Sequence, residues 1–302
     1  MGKKSREWPP LCEPLPAEVM DNHTHLPVHE GEIPNAQGFK MPLEQQLDNA
    51  GRVGVSRLIT VGCSLPDIDP TLDLAHQWPQ VKAAIAIHPN EAALHAGFTQ
   101  KSPDGFVHEL EEHHVPLVAA LELVSEALRD PEVVAVGETG LDYFRTGPKG
   151  REAQRESFEI HLEMARAYGL PLQIHDREAH ADTLAVLHAA AWSSQQIVFH
   201  CFSGDAAMAE ELAKNDWYAS FGGSLTYPAN GDLREALKTM PHELVLVETD
   251  APYLTPVPYR GCPNASYVMP YTVRAIAELW GESLEQTCRT LMRNSRNLYG
   301  TW

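Results

Sequence analysis

Eight short apolar runs, alternating with longer amphipathic stretches along most of its length, constrain this 302-residue chain more than any other feature. The runs are Glu18 to Asn22, Arg57 to Gly62, Val81 to Ile87, Val133 to Gly137, Pro171 to Ile174, Gln196 to Phe199, Trp217 to Phe221 and Leu244 to Glu248. Most are rich in Val, Ile, Leu and Ala without strict alternation, as expected of strands covered on both faces. Helical patterns fall between several of them, at Glu44 to Val53, Asp67 to Gln77, Glu152 to Tyr168, Ala179 to Ala190, Ala206 to Lys214 and Leu233 to Thr239. That rhythm reads as βαβ units, and eight of them predict an α/β fold of the (β/α)8 TIM-barrel class. A doubly wound open sheet is the alternative. Residues 18–302 are expected to form a single barrel domain. Residues 1–17, with Lys3, Lys4, Arg6 and four prolines, are expected to form a polar arm, and they lack the apolar stretch of a secretory signal.

The remaining composition narrows the class. No window approaches the roughly 18 uninterrupted apolar residues of a membrane span, so a soluble protein is expected. Five cysteines (Cys12, Cys63, Cys201, Cys262, Cys288) form no C-x-x-C pair, which points away from a disulfide framework and towards a cytoplasmic setting. With 23 basic against 41 acidic residues the net charge is −18, which excludes a broad electropositive surface coating duplex DNA. Any contact with nucleic acid is expected to be local, with bound divalent cations supplying positive charge at one spot. No obligate protein partner is expected, and the acidic surface is compatible with a monomer.

Asp21-Asn22-His23-Thr24-His25 leaves the first run, and the two-residue period of an extended chain places His23 and His25 on one side. Glu138, His175, His200 and Asp250 each follow a later run. In a barrel the carboxyl ends of the strands share one face, where residues distant in sequence meet. Four histidines and two carboxylates there make a site for two ions, which lower the pKa of a bound water and hold attacking and leaving oxygens. Each residue also has a plain structural reading, as a hydrogen-bonded core histidine or a helix cap. Six together at strand ends favour the metal reading.

Other residues are candidates to support such a centre. His88 ends Ile85-Ala86-Ile87 and is placed to reach a scissile group. Asp142 and Arg177 are candidates to orient ligands or pair with phosphate. Phe202, Tyr227 and Tyr253 lie past strand ends, where rings can stack on unpaired bases, although an aromatic at such a place is more often loop core. Cys63 and Cys201 read as small packing residues.

The ordered motifs D-x-H-x-H, G-E-T-G-L-D-Y, I-H-x-R, H-C-F-S-G and E-T-D-A-P-Y-L-T-P resemble those of the TatD family of metal-dependent deoxyribonucleases, from about Val19 to Tyr299. The resemblance implies a two-metal centre, with His23, His25, Glu138 and Asp250 on one ion and Glu138, His175 and His200 on the other. It further implies magnesium or manganese as working metals, zinc being a further option, and Asp250 as the group that deprotonates the attacking water, with Glu138 bridging. The implied substrate is DNA trimmed from a single-stranded 3′ end, with RNA a second option. Two departures bear on substrate handling. Thr226-Tyr227-Pro228-Ala229-Asn230 stands where many members carry Phe-Lys-Asn-Ala, and Asn264-Ala265-Ser266 where many carry Asn-Glu-Pro. The competing functions are an amide or ester hydrolase (aminoacyl-tRNA deacylases included) using the same metal centre, and a non-catalytic binding module.

Overall fold

The computed structural model describes residues 7–302, so residues 1–6 of the expected arm lie outside the described residues. Eight parallel strands make one sheet in chain order: β1 (Val19–Thr24), β2 (Val55–Gly62), β3 (Val81–Ile85), β4 (Val133–Asp142), β5 (Leu172–Arg177), β6 (Ile197–Phe199), β7 (Tyr218–Phe221) and β8 (Val245–Val247). The fold is the (β/α)8 barrel. All eight expected strands are present. Three run further than their apolar stretches: β1 continues through His23, β4 through Glu138 to Asp142, and β5 through His175 to Arg177. The expectation that His23, Glu138 and His175 follow their strands is thereby corrected. Each is part of a strand, because backbone pairing persists past the point where the side chains turn polar.

The chain divides into two compact units, Met1–Thr60 with Gly204–Trp302, and Val61–Ser203. In the first, β1 pairs with β2 and β7 with β8, both parallel. The first and last strands of the sheet are bridged there by Asp250 N–H to the His23 carbonyl at 3.0 Å and by Asn22 Nδ2 to the Val247 carbonyl at 2.8 Å. Thr249 donates through its N–H and its Oγ1 to the buried Asp21 carboxylate, at 2.9 and 2.6 Å. These bonds satisfy groups that an open sheet edge would leave exposed. The described part of the expected arm is tied down: Leu15 N–H donates to the Val53 carbonyl, Tyr267 Oη to the Pro9 carbonyl, and Arg274 to the Glu13 carbonyl.

In the second unit β3, β4, β5 and β6 pair in turn. The Arg151–Tyr168 helix covers β4 with Phe158, Leu162 and Ala165, all buried. Its His161 is fully buried; Nδ1 donates to the Ser157 carbonyl at 2.7 Å, and Nε2 accepts Ile87 N–H at 3.2 Å. Burial pushes its pKa down to about 4, so the ring stays neutral and fixes the backbone just ahead of His88. Four helices were absent from the expected set: Pro89–His95, Leu117–Ala127, Pro270–Trp280 and Leu284–Tyr299. Among the described residues, no helix is long and apolar enough to cross a membrane.

Gly140 lies between Glu138 and Asp142 at φ +138°, paired with His175, and a Cβ there would overlap the His175 carbonyl oxygen. Gly140→Ala is therefore expected to destabilise the fold by about 2–5 kcal/mol, from backbone strain plus overpacking. Gly38→Ala, at φ +82° with open space around it, is expected to cost only about 1 kcal/mol. Urea unfolding midpoints of the two variants check the difference.

Candidate metal centre

The unit Val61–Ser203 carries the denser cluster. Glu138 Oε2 lies 2.6 Å from His200 Nε2 and 2.9 Å from His175 Nδ1, and those two nitrogens are 3.5 Å apart. The opposite ring nitrogen of His175, Nε2, sits 3.1 Å from Asp142 Oδ2. Asp142 is itself held: Oδ1 accepts Phe144 N–H at 2.9 Å and Arg145 N–H at 2.7 Å, while Oδ2 accepts Asn90 Nδ2 at 3.3 Å. A carboxylate behind an imidazole whose far nitrogen faces other donors is the arrangement that orients metal-bound histidines. His88 packs its ring edge-on to that of His175, centroids 4.5 Å apart, and its Nδ1 accepts Asn90 N–H at 3.1 Å.

The electrostatics follow from burial and pairing. Burial opposes ionisation of Glu138, but the charges of His200 and His88 and the bonds from His175 and His200 hold its carboxyl well below the usual range. Asp142 is drawn down to about 2, burial being outweighed by His175 and by the Arg145 amide. Burial would lower the His175 pKa, yet its bonds to Asp142 and Glu138 lift it to about 9.

The unit containing the chain ends carries the second cluster. His23, His25 and Asp250 place their ligand-capable atoms within 4.8 Å of one another. His25 Nε2 is 3.4 Å from Asp250 Oδ1, and the two imidazole rings meet edge-on at 5.2 Å. Asp250 adopts φ +50°, in the left-handed region, and its backbone is anchored by its own N–H to His23 and by Tyr253 N–H to its carbonyl. Behind it, burial pushes Asp21 up to about 7 against the opposing bonds from Thr249.

Each cluster offers three or more nitrogen and oxygen donors of the kind divalent ions accept, and in the first of them two imidazole nitrogens crowd around one carboxylate oxygen. The residues fit metal ions. Among the supporting residues, His88 and Asp142 join the first cluster as described. Arg177 does not: it is exposed, and its guanidinium lies over the Phe144 ring, 4.0 Å from the centroid. Phe202 and Tyr227 are buried, Tyr227 with its hydroxyl on the Thr255 carbonyl, so of the two readings the stacking surface does not hold for them. Both pack as loop core. Tyr253 is 62% exposed and meets the His25 ring edge-on at 6.1 Å. Cys63 is more than a packing residue: its thiol donates to Glu138 Oε1 at 3.5 Å, and burial together with the Glu138 charge keeps it protonated. Its place directly after β2 was the only signal of this in the sequence. Asn90 was missed altogether.

Such clusters on a (β/α)8 barrel define a metal-dependent hydrolase. The comparisons agree in kind: the uncharacterized metal-dependent hydrolase TatD of Mycobacterium tuberculosis is 37% identical over 286 residues, covering 93% of this chain and 98% of its own. YabD of Bacillus subtilis, under the same description, is 30% identical over 282 residues, 93% of this chain and 98% of that protein. The solved structure of the TatD homolog YjjV from Escherichia coli superposes with a TM-score of 0.77 at 26% identity, covering 94% of this chain and 98% of the other. The model of the family described as TatD related DNase matches residues 20–300, and the chain belongs to that family.

Because His175 carries a proton at neutral pH when no ion is bound, an ion must displace it. Metal binding is expected to release protons at pH 7, to release fewer as pH approaches about 9, and to tighten over the same interval. Asp142→Asn removes one of the two groups that raise the His175 pKa. It is expected to reduce proton release at pH 7 and to weaken binding by roughly 10–100-fold. Titration calorimetry with Mn2+ in buffers of differing ionisation enthalpy checks both.

Proposed function

We propose that this protein is a nuclease that hydrolyses phosphodiester bonds, acting as a 3′–5′ exonuclease on single-stranded DNA, with RNA the second substrate to test. The observation that carries this reading is Arg177. It stands two residues beyond His175 on the same strand, stacked on Phe144, and among the described residues no carboxylate pairs with it. A flat guanidinium fork so presented suits the non-bridging oxygens of a phosphate. In a chain of net charge −18, a local cation of this kind is what a nucleic-acid substrate requires. The exposed Tyr253 ring beside His25 offers a stacking surface for an unpaired base. The family description as TatD related DNase supports the same substrate class.

In this reading His23, His25, Glu138 and Asp250 would hold one divalent ion, and Glu138, His175 and His200 would hold another. Magnesium or manganese is the working metal and zinc the alternative. Such ions supply Lewis-acid charge at the phosphate and a lowered pKa for water. Asp250 holds the attacking water and takes its proton. Asp142 keeps His175 in one orientation and fixes which nitrogen faces Glu138. Arg177 neutralises the phosphate, and Tyr253 holds the terminal base.

Metal-stripped protein incubated with end-labelled single-stranded DNA and RNA, with magnesium, manganese or zinc added in turn, tests this. Metal-dependent shortening is expected, reduced roughly 10²–10⁴-fold by Asp250→Asn. Arg177→Ala is expected to lower kcat/KM by about 10–100-fold, with Arg177→Lys restoring only part because a point charge replaces a fork. No cleavage with any metal, while ions remain bound, would overturn the reading in favour of ester or amide substrates.

A further inference from the structure

We propose that Glu91, His95 and His113 form an additional, structural metal site for a zinc-class divalent ion, sharing no residue with the centre described above. Glu91 and His95 are four residues apart on the Pro89–His95 helix, so they lie on one helix face. His113 and His114 come from the segment leading into the Leu117–Ala127 helix, and all four belong to the same compact unit. Ligand-capable atoms of Glu91, His113 and His114 lie within 4.8 Å of one another. The rings of His113 and His114 are 4.1 Å apart, and the His95 ring lies 5.2 Å from that of His114 and 6.4 Å from that of His113.

The hydrogen bonds assign different roles to the three imidazoles. His114 Nδ1 accepts Glu111 N–H at 2.7 Å, so its proton is on Nε2, which donates to Glu91 Oε2 at 3.1 Å. His114 therefore positions the carboxylate and is no ligand itself. His95 has the reverse arrangement: Nδ1 donates to the Val115 carbonyl at 2.7 Å, which leaves the lone pair on Nε2. His95 is only 5% exposed, and that buried Nε2 has no hydrogen-bond partner among the described residues. One ring nitrogen tied to a backbone carbonyl and the other presenting an unused lone pair is the state in which a histidine binds metal. His113 Nε2 is 3.5 Å from Glu91 Oε2 and its Nδ1 is 3.7 Å from Glu111 Oε2, both too long for a good hydrogen bond, so this ring too has donor capacity to spare. Two imidazoles and a carboxylate are a zinc-type set. Glu91 and His113 both reach solvent, which gives the ion an entry path. A bound ion ties the helix that begins after His88 to residues 113–115.

Full-length protein is stripped with chelator, loaded with Zn2+, desalted and assayed for bound zinc by mass spectrometry, alongside His113→Ala, Glu91→Gln, Glu138→Ala and the Glu138→Ala/His113→Ala double variant. Circular dichroism verifies that each is folded. His113 and Glu91 are partly exposed, so their replacement tests ligation without opening the core. The expected result is a loss of one zinc per chain on His113→Ala in both the wild-type and Glu138→Ala backgrounds, with the same loss in Glu91→Gln. A visible Co2+ absorption band that survives Glu138→Ala and disappears in the double variant is the matching spectroscopic result. Equal zinc content with and without His113 in both backgrounds overturns the proposal and leaves the cluster a hydrogen-bonded strap.

Discussion

A buried carboxylate with nothing to pair it would unfold this part of the chain or take up a proton, and Glu138 does neither. Two imidazoles and a thiol face its two oxygens, and one of those imidazoles is backed by a second buried carboxylate, Asp142. Charges removed from water require such partners, and the partners require fixed backbone. The extension of β4 and β5 beyond their apolar stretches supplies it. Four residues of β4, Thr139 to Asp142, pair in register with β5 after an irregularity at Gly137 and Glu138, so Glu138 and Asp142 approach His175 from the two ends of its ring. The glycine between them is the concession that lets the strands come this close.

The other cluster depends on a different device. Side chains and backbone at the end of β1 are bonded to the segment after β8, so that the bridge across the first and last strands and the placement of Asp250 against His25 are one set of interactions. Asp21 and Asn22 of the D-x-H-x-H motif serve this bridge, and His23 and His25 serve the cluster. Structure and chemistry thus divide the five positions, the first two serving the bridge and the two histidines, separated by one residue and on one side of the chain, serving the cluster.

Much of this was legible beforehand. Eight strands show as eight apolar runs because both faces of each are covered, and the residues at their polar ends were identifiable as donors. What sequence could not show has physical causes. The Leu117–Ala127 helix exposes Val118 and Leu123, so no clean apolar stripe marks it, and Pro89–His95 is too short to establish a period. The Leu284–Tyr299 helix does carry its signals in the sequence, a Ser283 cap and the spacing of Cys288, Leu291, Met292 and Leu298, but it lies beyond the last strand of the repeating pattern. Cys63 and Asn90 acquire their roles from pairing across the fold, which no local pattern encodes. Phe202 and Tyr227 pack inward because the loop after each strand closes over its ring, whereas Tyr253 stays exposed.

Asp250 sits at a backbone angle that aspartate and asparagine enter more readily than other side chains. The conformation thus selects among residues before reactivity does. A glutamate keeps the charge and adds reach, yet its longer, less tolerant side chain must be carried on the same left-handed turn, so the position admits the shorter acid on steric grounds alone. The amide is the substitution the main chain accepts with least disturbance, since asparagine enters the same left-handed region readily. The turn, held by backbone bonds from Asp250 to His23 and from Tyr253 to Asp250, can therefore outlast the carboxylate it carries.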